Sequence, residues 1–168
     1  PASLSSQMAE NANTPPLGPS YVLEVQRAAD WAVADAGGAD KVKAGIVYQK
    51  DDYGEDGLAG LKLAAAHHGF EIVTEQTISP GQKDVTAAVT SLKSKGANYV
   101  FLTILPSTTG AVVGTAAAMK YGPKWIGNTP TWVDVFFADK SPLPPAVLAN
   151  FHWVVGLPFW GEEVAGMD

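Results

Sequence analysis

The densest group of chemically capable side chains lies in QKDDYGEDGLAG, residues 49–60. Asp51, Asp52, Glu55 and Asp56 supply four carboxylates, which could hold Mg²⁺ where a strand hands over to a helix. The same acids at a helix start also interact favourably with its dipole, and this is the stronger reading. A phosphoryl-transfer centre built on paired acids would need more of them at neighbouring strand tips, where Pro106 and Thr129 stand instead. Gly54, Gly57 and Gly60 invite a nucleotide reading. Their spacing is three and three rather than G-x-G-x-x-G, and five residues separate Tyr48 from Gly54. The dinucleotide fingerprint needs its first glycine directly after the strand. Helix entry and close helix–sheet packing are the competing uses of these glycines.

Other candidates for catalysis are weaker. His67 and His68 are adjacent at a helix end, so they point in different directions and suit the helix dipole better than a shared metal. His152 stands alone in a strand. No G-x-S-x-G elbow accompanies the serines, and no nucleophile has a plausible base. Cysteine is absent, which removes disulfides, thiolate metal sites and a Cys nucleophile. The expectation is a protein that is not an enzyme, with no catalytic residues, no metal site and no cofactor. Tyr53 differs in kind: it is read as an aromatic ring in a polar loop at a strand's carboxyl end, where it can line a small-molecule pocket or simply cover the loop. Trp132 shares that rim and the same two readings.

The elements that must position these residues alternate regularly. A helix begins after Ser20, with Val22, Val25, Ala29 and Ala32 on one face, and ends at Gly37-Gly38. Residues 44–48 (AGIVY) form an apolar run suited to a strand covered on both faces. A helix over 56–68 buries Leu58, Leu61 and Ala65, and Gly69 closes it. Residues 70–78 form a strand whose Glu71 and Glu75 suggest a sheet edge or one wet face. Asp84 caps a helix with Val85, Ala88, Val89 and Leu92 at i, i+3, i+4 and i+7, the clearest amphipathic pattern in the chain. Residues 99–105 (YVFLTIL) form the strongest buried strand, and 106–109 the loop and cap of a helix to Lys120. A short strand over 124–126, a short helix over 133–138, a loop over 142–145 and a strand over 151–157 follow. Such alternation predicts an α/β fold, a doubly wound parallel sheet with helices on both faces. Ligands in such sheets bind beyond the strands' carboxyl ends, which places 49–53, 106–108 and 128–132 on one rim.

The totals agree. A chain of 168 residues, 46% hydrophobic and 17% charged, can bury one ordinary core. A net charge of −6 without a basic cluster argues against nucleic acid or an anionic membrane surface as partner. No apolar run approaches the roughly 20 residues of a membrane-spanning helix, and residues 1–7 lack the basic start and apolar core of an export signal. Residues 1–19, rich in Ser, Asn, Ala and Pro, read as a connecting segment, and 20–168 as one α/β lobe truncated at its C-terminus.

AGIVYQKDDYGEDG, ISPGQKDVTAAVTSLKSKGANYVFLTILPS and WIGNTPTW resemble the second lobe of type I periplasmic solute-binding proteins of ABC transporters, in the branched-chain amino-acid-binding branch. The likeness runs from about Gly18 to Gly161, with DDYG and PGQKD its more specific parts. It implies a Rossmann-like lobe of a receptor at the periplasmic or extracellular face of the cell envelope. Its partners would be a small solute, a membrane permease and a first lobe absent from this chain. Position by position it implies ligand-binding roles for Tyr53, Leu105, Pro106, Ser107, Thr129 and Trp132. Thr129 matches a position often acidic in amino-acid binders, and Leu105 one that is often aromatic. Both departures make an amide or an aromatic acid as credible a solute as an amino acid. The rival readings are a ligand-sensing regulatory domain of the same fold and a flavodoxin-like enzyme or nucleotide- and phosphate-binding domain.

Overall fold

The structure, a computed structural model, describes residues 4–10, 13 and 15–156. Five parallel strands build the sheet: β1 (Lys43–Gln49), β2 (Glu71–Ile78), β3 (Tyr99–Thr103), β4 (Lys124–Gly127) and β5 (Phe151–Trp153). Their order is β2-β1-β3-β4-β5. β2 is therefore an edge, as its glutamates suggested. From β1 the chain steps outward to β2, then crosses to the other side of β1 to lay down β3. Strand order thus reverses between β1 and β3, which opens a crevice at their carboxyl ends.

Residues of opposite parity along each strand feed two cores. Ala44, Ile46, Tyr99, Phe101 and Ile126 face α2 (Tyr21–Ala36) and α3 (Asp52–His68). Val47, Val100, Leu102 and Trp125 face α4 (Thr86–Ser94) and α5 (Pro106–Ala118). Every residue of β3 is buried, as a strand flanked by neighbours and covered on both faces must be. The amphipathic helix behaves as its pattern demands: Val85, Ala88, Val89 and Leu92 are all buried.

Several boundaries differ from the sequence-based expectation. α3 starts at Asp52 rather than Asp56, because the Asp51 carboxylate caps it by accepting from the Gly54 N–H at 3.0 Å. α5 starts at Pro106, whose missing N–H costs nothing in a first turn, so the expected loop of 106–109 is already helical. The ladder of β3 stops at Thr103, two residues short of the expected end. A short helix, α6 (Pro145–Leu148), occupies the end of the expected proline loop. β5 spans three residues; Leu157, the expected end of that strand, lies outside the described residues, as do 158–168.

Within the segment expected to connect, α1 (Ser6–Ala9) forms a single turn. It is tied to the lobe. Ser6 donates from N and Oγ to the Asp56 carboxylate at 2.5 and 2.6 Å, and the Tyr21 N–H donates to the Leu4 carbonyl at 3.1 Å.

Candidate functional site

Three segments converge at the carboxyl ends of the strands. The first follows β1. The Asp51 carboxylate, besides capping α3, accepts from the Gln49 side-chain amide. The three glycines of α3 are consumed by packing. A methyl group at Gly54 would overlap the Gln49 backbone, one at Gly57 the Thr103 side chain, and one at Gly60 the Val22 backbone on α2. Their spacing of three thus lets α3 lie close to β1, β3 and α2. The Gly54 N–H, which a phosphate would need, is already bonded to Asp51.

Tyr53 was expected in a polar loop. It lies in the first turn of α3 with only 8% of its surface exposed. Its hydroxyl donates to the Asn128 Oδ1 at 2.6 Å, and the Tyr21 ring meets it edge-on at 4.7 Å between centroids. Burial first, then the neighbouring Tyr21, Glu24 and Asp51, push the phenol well above its ordinary value, so it keeps its proton.

The second segment follows β3. Leu105, the N-cap of α5, is 43% exposed, while Phe101, Leu102, Thr103 and Ile104 before it are buried. Pro106 is half-buried and Ser107 exposed. The third segment follows β4. Thr129–Thr131 form a single 3-10 turn, which places Thr129, Pro130 and Trp132 on the rim, each half-buried. The Trp132 indole N–H donates to Asp134 at 3.1 Å, and its ring meets Trp153 edge-on at 5.2 Å.

Beneath this rim lies a residue that sequence reading missed. Glu24, in the first turn of α2, is 1% exposed. Its carboxylate accepts from the Thr129 N–H at 3.2 Å and the Thr129 hydroxyl at 2.5 Å. The Asn128 side chain and the Gly156 backbone also lie near it. Burial raises the affinity of Glu24 for its proton, and the Thr129 hydroxyl and N–H chiefly oppose the rise. The signal in the sequence was a glutamate between Tyr21 and Val25 on the apolar face of an amphipathic helix, where an exposed charge is not expected.

The structure thus brings two hydrogen-bonded pairs side by side, Tyr53 with Asn128 and Glu24 with Thr129, with Leu105, Pro106, Ser107 and Trp132 on the surrounding rim. The acids Asp51, Asp52, Glu55 and Asp56 do not converge, and no cluster suited to a metal ion occurs among the described residues. His68 pairs with Asp30 at 2.7 Å, and His152 lies beside the Trp31 ring at 4.3 Å; both sit away from the rim.

Comparison with known proteins adds to this geometry. A family model described as periplasmic binding protein matches residues 1–166. A search of curated proteins finds no match. Among solved structures, the chain is similar to a fatty acid ABC transporter substrate-binding protein from Thermomonospora curvata. The identity is 23% and the TM-score 0.78, over 90% of this chain and 38% of that one. It is also similar to a branched-chain amino acid ABC transporter from Thermus thermophilus with bound valine, at 19% identity and TM-score 0.71, over 91% and 39% of the two chains. A solute binding protein of an ABC transporter from R. palustris, in complex with benzoate, matches at 19% identity and TM-score 0.62, over 74% and 34%. These likenesses show the fold. The chain spans about two fifths of the length of the first two structures.

Proposed function

The chain belongs to the periplasmic binding protein family, and from that premise we propose that it forms one wall of a solute-binding cleft in a receptor serving an ABC importer. The observation that carries the reading is Leu105. A large apolar side chain, 43% exposed, stands two residues after a fully buried strand at the point where strand order reverses. Such a side chain is accounted for if a bound solute and an opposing lobe cover it. In this reading Leu105, Pro106 and Trp132 supply apolar contact, Ser107 and Thr129 supply polar contact, and Tyr53 supports the wall from below. The solute is a small molecule of the amino acid, amide or aromatic acid classes. Two of the similar structures hold valine and benzoate, which fall in these classes, and a third is a fatty acid ABC transporter substrate-binding protein.

Closure of two lobes on the solute would create the surface read by a membrane permease, at the periplasmic or extracellular face of the envelope. No helix among the described residues is long and apolar enough to cross a membrane. No chemistry is assigned to the site, because its polar groups bond one another rather than a nucleophile. Isothermal titration of the complete protein against amino acids, amides and aromatic acids tests the proposal. Saturable heat with one class supports it. Heat only with a nucleotide or phosphate would transfer the site to the rival reading.

A further inference from the structure

Resting on the solute-binding reading above, we infer that Glu24 is a positioning residue beneath the cleft wall: it commits the Thr129 hydroxyl to face the cleft as a hydrogen-bond acceptor and so selects a solute presenting an N–H or O–H group there. An ionised carboxylate only accepts hydrogen bonds. Thr129 has one hydroxyl proton, and at 2.5 Å from the Glu24 Oε1 that proton is taken. The lone pairs of its oxygen are what remain for a solute.

Beside this pair, the Asn128 Oδ1 receives the Tyr53 hydroxyl at 2.6 Å, while the Asn128 N–H₂ is buried with no hydrogen-bond partner among the described residues.

A buried carboxylate is costly unless donors surround it. Glu24 is held by the Thr129 N–H and hydroxyl, where the chain leaves β4, and among the described residues no Lys, Arg or His forms an ion pair with it. In its ionised form its charge lies directly under the wall with no cation paired to it among the described residues. A solute carboxylate facing Thr129 would set acceptor against acceptor above that charge. An ammonium, amide or hydroxyl group would complete the bond.

The test uses the complete protein and its Glu24→Gln variant, with L-valine and benzamide as donor-bearing probes and benzoate and octanoate as carboxylate-only probes. Glutamine can donate to the Thr129 oxygen and turn the hydroxyl proton outward. In the native protein a donor-bearing probe is expected to bind more tightly than both carboxylate-only probes by about tenfold or more. In Glu24→Gln that ratio should fall by about the same factor. A second measurement needs neither ligand nor variant. Nuclear magnetic resonance of the native protein should show a slowly exchanging Thr129 hydroxyl proton with a cross-peak to the Glu24 γ-methylene. Tightest binding of benzoate or octanoate, an unchanged ratio in a folded Glu24→Gln, or a fast-exchanging Thr129 hydroxyl would each overturn the inference. Binding of none of the four probes would overturn the solute reading and the solute class with it. The hydroxyl signal would still report on the positioning role of Glu24.

Discussion

At the scale of single residues, the groups around the rim carry different risks. Tyr53→Phe keeps the ring packed on Tyr21 but leaves the Asn128 Oδ1 buried without its donor. A loss of about 1–3 kcal/mol is expected, measurable by urea denaturation. The glycines separate packing from backbone freedom. Gly57→Ala drives a methyl group into Thr103 and should cost about 1–3 kcal/mol. Gly114→Ala, at an exposed position of α5 with nothing within 4 Å of the added carbon, should gain about 0.4–1 kcal/mol. Equal effects in the two would contradict the packing role of the α3 glycines. These roles were only half legible beforehand. The spacing of Gly54, Gly57 and Gly60 excluded a nucleotide fingerprint, yet which partner each one meets depends on strands and helices far away in sequence. The partner of Glu24 was illegible for the same reason. That partner, Thr129, lies 105 positions along the chain, and only the fold places the two together.

At the scale of elements, α2 is held to its neighbours by two partly exposed acids. Asp30 meets His68 at the end of α3, and Asp35 meets both Lys124 on β4 and the Tyr99 hydroxyl on β3. The bond from His68 chiefly lowers Asp30, and the Lys124 ammonium followed by Tyr99 lowers Asp35, both below the ordinary 3.8. A carboxyl that is lowered on folding contributes stability above its unfolded value and loses it as pH falls through the folded one. Thermal melts should therefore hold steady at neutral pH and drop progressively below about 3.8. Asp35→Asn should soften that drop while costing up to about 1 kcal/mol at neutral pH, less in high salt, because both partners are partly solvated. An acid transition unaffected by this substitution would contradict the assignment. Element types were largely readable, because periodicity reports burial and these helices bury one face each. Element starts were not. Asp51 and Pro106 begin their helices earlier than the apolar pattern does, since capping and proline geometry act at positions that carry no hydrophobic signal.

At the scale of the whole molecule, the alternation of strands and helices was enough to foresee a parallel sheet, and the reversal of strand order places one rim at its carboxyl ends. The solute was not legible. In the proposed reading its identity depends on a cleft with two walls, and this chain spans about two fifths of the length of the first two structures it resembles. One wall buries a small solute incompletely, so little of the binding free energy is available to it. The most direct measurement is a parallel isothermal titration of the complete protein and of this chain alone with one panel of amino acids, amides and aromatic acids. The expected result is saturable binding by the complete protein, micromolar or tighter, with binding by this chain at least about a hundredfold weaker, equivalent to a loss of roughly 2.7 kcal/mol. Equal affinity in the two, or a complete protein that ignores the panel and binds a nucleotide instead, would contradict the account of a shared solute cleft.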